Sequence, residues 1–131
     1  MVCLPALVVL AGCGGQDGPL RFDLSGTVTY NGKPVPFGYI EFAPDTIQGN
    51  RGPGTSAAIR NGQYSTMAGR GTIGGPHVAT IYGFDNVASQ KAKGPQGQQI
   101  FNQMGKPLFA AADIKADLPK QTAVHDFLVP K

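Results

Sequence analysis

The chain has 131 residues, with 11 Lys and Arg against 8 Asp and Glu, two Cys and two His. That length suits one domain, and a net charge of +3 scattered along it lacks a basic block able to neutralise several phosphates, which argues against nucleic-acid binding. The same modest charge serves solubility as readily as proximity to anionic lipid or wall polymer.

Residues 2–12 carry no charge, and Leu7-Val8-Val9-Leu10 is continuously apolar. The run is too short to cross a bilayer, which takes roughly 20 apolar residues, and it ends in small residues as a secretory signal peptide does. Read otherwise, it is a buried strand with two incidental cysteines; its place near the N-terminus, ahead of a Gly-rich polar spacer, favours the signal. Leu10-Ala11-Gly12-Cys13 resembles the lipobox of bacterial lipoproteins: an apolar residue, two small ones, then cysteine. The resemblance implies a diacylglyceryl thioether on Cys13 and cleavage of the bond before it. It also implies a membrane anchor in the cell envelope, with the domain facing the periplasm or the exterior. Cys3 then leaves with the signal, so no thiol remains for a disulfide or a metal. A signal normally opens with Lys or Arg, which "MVCLPALVVL" lacks, and Pro5 interrupts its apolar helix; the true start is therefore expected upstream of Met1. The expected organisation is a signal at 1–12, a lipidated cysteine and tether at 13–22, and a domain at 23–131 whose core comes from apolar burial alone.

Within the domain, Leu24, Val28 and Tyr30 alternate with Ser25, Thr27 and Thr29, the period of a half-buried strand. Asn31-Gly32 supplies the positive backbone angles of a tight turn, and Ile40 and Phe42 alternating with Tyr39 and Glu41 make a second strand. "DTIQGNRGPGT" is loop chemistry. Asn61-Gly62 then predicts a hairpin between residues 56–60 and 63–66. "HVATIYGF" at 77–84 is β-branched and aromatic, Ile114, Ala116 and Leu118 alternate with charged residues, and 119–121 turns the chain into a last strand at 123–129. Short strands at hairpin spacing predict an all-β sandwich of about seven strands. Residues 86–107, rich in Gln, Lys and Gly, break this rhythm as an insertion. They are expected to be disordered or to form a short helix docked by Ile100 and Phe101, with a binding loop as the alternative.

"SGTVTYNGKPVPFGYIEFAP" is similar to the opening of transthyretin-like, carboxypeptidase-regulatory-like domains, and "NGQYST" resembles their second turn, where Gly-x-Tyr enters a strand. "GGPHVATI" looks like their Pro-Gly-x-Tyr strand entry, with the order of Gly and Pro changed and His77 in place of Tyr. "DLPKQTAVHDFLVPK" resembles the Phe-containing last strand of small lipoproteins of planctomycete type. The resemblance covers residues 24–84 and the final strand. It implies an immunoglobulin-like sandwich acting as an accessory module: a folding support, a spacer, or an adhesion or binding unit. The enzymatic branch, hydroxyisourate hydrolase, ends in Tyr-Arg-Gly-Ser, whereas this chain ends "FLVPK".

The motifs that bear on catalysis are weak. Residues 69–74 match G-x-G-x-x-G, but Gly75-Pro76 and a strand-like run follow, so no helix N-terminus is there to receive a phosphate. His77 and His125 are too few for a zinc site, which needs three or four ligands, and are expected as partly buried, hydrogen-bonded imidazoles. Ser56, Ser65 and Ser89 lie outside any nucleophile elbow, the acids are spread singly, and Asp45 and Asp85 lack a calcium-ligand series. No catalytic residue, metal or cofactor is expected. The better candidate is the loop at 45–51, where Asp45, Gln48, Asn50 and Arg51 offer planar hydrogen-bonding groups to sugar hydroxyls, with Tyr39 or Tyr82 to stack on a ring; the same residues are ordinary turn formers.

The expected function is that of a non-catalytic, membrane-anchored module that docks an envelope protein through end loops or an open edge strand. The alternative is a carbohydrate-binding module on wall or imported polysaccharide, and a small hydrolase comes last. Each makes its own structural demand. Docking needs an exposed apolar patch or an unprotected edge, glycan binding an exposed ring beside the 45–51 loop, and hydrolysis a histidine in a cleft with an acid in reach.

Overall fold

The computed structural model describes residues 18–87, 89–93, 99–102 and 104–131. Leu10, Ala11, Gly12 and Cys13, and with them the signal and lipidation readings, lie outside the described residues. The strands are β1 (Leu24–Tyr30), β2 (Lys33–Pro34), β3 (Phe37–Pro44), β4 (Thr55–Arg60), β5 (Gln63–Ser65), β6 (Gly75–Phe84), β7 (Ser89–Lys93), β8 (Gln99–Asn102), β9 (Ala112–Leu118), β10 (Ala123–Val124) and β11 (Phe127–Val129). A 3₁₀ turn at Thr46–Gln48 is the one helical element among the described residues, none of which form a helix long and apolar enough to cross a membrane.

The all-β expectation holds. One curled sheet runs in the order β10-β1-β5-β4-β3-β6-β9, with β11 also on β1, while β7 and β8 form a separate two-stranded ribbon. Period-2 alternation places the core on the inside of the curl. In β6, His77, Ala79, Ile81 and Gly83 are buried while the residues between them are half-buried. Val28, Ile40, Ile59 and Ile81 are fully enclosed, and burial of each such side chain stabilises by roughly 1.5–3 kcal/mol.

Both Asn-Gly turns form as expected, with φ of 55° and 76° at Asn31 and Gly32 and of 52° and 74° at Asn61 and Gly62. The first turn, however, returns only β2 to β1. The next long strand, β3, sits between β4 and β6 and has no pairing with β1. The reason lies in residues 34–36. Pro34 and Pro36 have no amide proton to extend a ladder, and between them the amide of Val35 donates to the Val28 carbonyl while its side chain plugs the core.

The C-terminal strand is also more particular than its alternation predicts. It is two short strands, both parallel to β1, because 119–122 carries the chain from the finish of β9 to the end of the sheet where β1 begins. Between them the chain swells toward Gly26, where any Cβ would strike the His125 carbonyl. The buried Tyr64 hydroxyl donates to that carbonyl, and Asp126 Oδ1 accepts the Thr27 amide at 2.9 Å, so side chains satisfy both of these backbone groups where the ladder is interrupted.

Within the 86–107 insertion the described residues include no helix, and two strands pair as a ribbon. β7 and β8 pair antiparallel from Ser89–Asn102 to Lys93–Gln99, with an irregularity between Gln90 and Ala92. Gly94, Pro95 and Gly97 interrupt any helix in this sequence. The docking of Ile100 and Phe101 side chains lies outside what is described. The ribbon's base is clamped by Asp85, whose carboxylate accepts the amides of Val87 and Lys106.

Candidate functional site

The strand directions put residues 18–23 and the loops 45–54, 66–74 and 119–122 at one end of the sandwich, and the Asn-Gly turns and the ribbon's base at the other. At the first end, the 45–51 loop is fastened by its own polar residues. Asp45 caps the 3₁₀ turn by accepting the Ile47 amide at 3.2 Å, and its backbone amide donates to the Pro76 carbonyl. The Asn50 side-chain amide donates to the carbonyls of Gly74 at 3.1 Å and Pro76 at 2.7 Å. Two of the four loop residues proposed for sugar binding therefore spend their polar atoms on the backbone. Gln48 and Arg51 are exposed.

Asp45 and Gln48 do border a cleft of about 180 Å³, with Pro76, His77, Lys115, Ala116 and Asp117. His77 is 1% exposed, and its Nδ1 lies 2.9 Å from the Gly75 carbonyl. A carbonyl only accepts, so Nδ1 carries a proton; Nε2 is buried without a hydrogen-bond partner. His125 stands elsewhere, its ring 4.7 Å from that of Phe127. Neither imidazole is hydrogen-bonded to a carboxylate, and among the described residues no three His, Cys, Asp or Glu come together as a metal would require.

Tyr39 and Tyr82 face each other across β3 and β6 with ring centroids 4.5 Å apart and planes 19° from parallel. The negative charge of Glu41, with smaller contributions from burial and other neighbours, raises the Tyr82 pKa above its ordinary value. The pair lies on the outer face of the sheet. Asp45 lies six residue steps along the chain from Tyr39, about 20 Å of extended strand, so the rings and the loop are not brought together. Each ring also covers one face of the other.

A broad, open concavity lies across β4, β5, β1 and β10. It is lined by small residues, among them Ser25, Gly26, Ala58 and Ser65, together with Arg60, Gln63, Tyr64, Val124 and Asp126, and measures about 700 Å³. Beside it runs the open edge formed by β10 and β11, paired on one side only among the described residues. Val124 and Leu128 are 73% and 77% exposed on this edge. The opposite edge, β9, instead presents Asp113, Lys115 and Asp117, charges of the kind that discourage strand pairing. The sequence signal for the open edge is an aliphatic residue at outward positions, Val124 and Leu128, interleaved with inward Phe127 and Val129; which strand becomes an edge is not written locally. Comparison with known protein families, curated proteins and solved structures finds no significant match for this chain.

Proposed function

We propose that this chain is an exported lipoprotein, acylated at Cys13 and held on a membrane of the cell envelope, whose sandwich is a non-catalytic docking module for another envelope protein. The observation that carries the docking role is the β10–β11 edge, unpaired among the described residues, with Val124 and Leu128 exposed beside a broad trough. An extended partner segment would hydrogen-bond to the free edge and set alternate apolar side chains against those two residues, the strand-addition mode of recognition. The Leu10-Ala11-Gly12-Cys13 motif supports the anchor, and the resemblance of residues 24–84 to transthyretin-like domains supports an accessory role.

A carbohydrate-binding module is the second reading. What favours it is the polar lining of the trough, where Ser25, Thr27, Gln63, Ser65, Arg60 and Asp126 match the hydrogen-bonding needs of a glycan. Among the described residues no exposed aromatic ring borders that trough for stacking.

Cross-linked affinity capture of the tagged full-length protein from its native envelope separates these readings. One stoichiometric protein, lost with Val124→Lys and Leu128→Lys but kept with Arg51→Ser, supports strand docking. Recovery of polysaccharide with the edge variants unaffected replaces it with the second reading. Cys13→Ala should move the protein out of the membrane fraction, and its retention there would refute the anchor.

A further inference from the structure

Three exposed apolar side chains project from three separate segments at one end of the sandwich: Leu20 at 79%, Ile47 at 93% and Met67 at 67%. These segments are held together. Phe22 and Thr72 exchange backbone hydrogen bonds, the Gly69 amide donates to Asp23, the Thr55 hydroxyl donates to the Arg70 carbonyl, and Asn50 ties the 45–51 loop to residues 74–76. Between Met67 and the strand ends lies a hollow of about 470 Å³ lined by Arg21, Thr55, Ser56, Met67 and Arg70. Among the described residues neither the Arg21 nor the Arg70 guanidinium has a hydrogen-bond or ion-pair partner. The Asp23 carboxylate accepts the Gly69 amide at 2.9 Å.

Position in the chain says what this end meets. Seven residues, 14–20, separate Cys13 from Arg21, and the eight residue steps between them, fully extended, reach about 29 Å at most. If Cys13 is acylated, this end cannot lie farther than that from the bilayer surface, whereas the Asn-Gly turns are at the far end. We propose that the tether end of the sandwich is a lipid-docking surface. Leu20, Ile47 and Met67 enter the interfacial layer of the leaflet that holds Cys13, and the Arg21–Arg70 hollow takes the phosphate of a phospholipid headgroup. The inference rests on the lipoprotein reading for its geometry, but not for its test. Apolar tips beside arginines suit the headgroup boundary, where aliphatic groups bury and guanidinium groups bind phosphate bidentately. The surface also fixes the domain's orientation, so that the anchor alone does not leave it free to tumble on its tether.

The test is hydrogen exchange of the full-length protein in phosphatidylcholine vesicles containing phosphatidylglycerol. Loops 45–54 and 66–74 should exchange more slowly on vesicles than in solution, and free inorganic phosphate should not remove the protection. The Asn31-Gly32 and Asn61-Gly62 turns should be unchanged. Arg21→Ser and Arg70→Ser should each weaken vesicle contact about fivefold, and Ile47→Ser about tenfold. All three sites are at or near the surface, and unchanged exchange at the distal turns checks that the variants fold. Mass analysis of the N-terminal peptide reports acylation separately. Protected loops with an unmodified Cys13 would keep this proposal and refute the anchor. Unprotected loops, or protection indifferent to these substitutions, would overturn the proposal whatever the state of Cys13.

Discussion

Tyr64 shows how much of the fold can depend on one hydroxyl. Its ring packs among Phe42 and Phe127 with centroids 6.0 and 5.8 Å away, and its hydroxyl reaches the His125 carbonyl where the C-terminal ladder is interrupted. Tyr64→Phe should keep the packing and lose about 1–2 kcal/mol, read as a lower denaturant midpoint with an unchanged slope. Burial, and secondarily the Asp126 carboxylate, push the Tyr64 pKa well above its ordinary 10.0. The unfolded chain therefore ionises this tyrosine before the fold does. Its contribution is intact below pH 10 and is lost as pH rises beyond it, an alkaline loss that Tyr64→Phe should diminish. Gly26→Ala should be harsher, at about 3 kcal/mol by thermal unfolding, because the new methyl meets backbone that is already hydrogen-bonded. Neither residue announces this role in the sequence: Tyr64 reads as a strand aromatic and Gly26 as a strand glycine, and their partner at position 125 is remote.

At the scale of elements, what is local was legible and what is long-range was not. Alternation located β1, β3 and β9, β-branched and aromatic composition located β6, and the two Asn-Gly pairs located turns, because period, composition and turn chemistry are properties of neighbouring residues. The placing of β3 beside β6 and the parallel course of β10 and β11 are choices of partner, decided by two prolines that stop one ladder and a glycine that admits another segment. The 86–107 ribbon was missed because its Lys and Gln residues carry no apolar period. The 45–51 loop was legible as a loop, but its polar atoms were assigned to a ligand when Asp45 and Asn50 hold the loop itself. It follows that Asn50→Ala should destabilise by about 1–2 kcal/mol, through the Gly74 carbonyl left without its donor and the Pro76 carbonyl left with the Asp45 amide alone, whereas Arg51→Ser should change the unfolding midpoint little.

For the whole molecule, the two sheet edges are unlike. β9 displays alternating charges, while β10–β11 displays two aliphatic side chains next to the trough, so a second strand has one edge to add to. Substituting both Val124 and Leu128 with Lys should leave stability within about 0.5 kcal/mol, since both are exposed, and should abolish docking. The most direct measurement is site-specific photo-cross-linking in the native envelope, with the reactive group placed at Leu128 and, in a second protein, at Lys115 on the opposite edge. A single cross-linked protein from Leu128 and none from Lys115 is the expected result. Cross-links from Lys115 alone, or from neither edge, would contradict a docking role for the C-terminal edge.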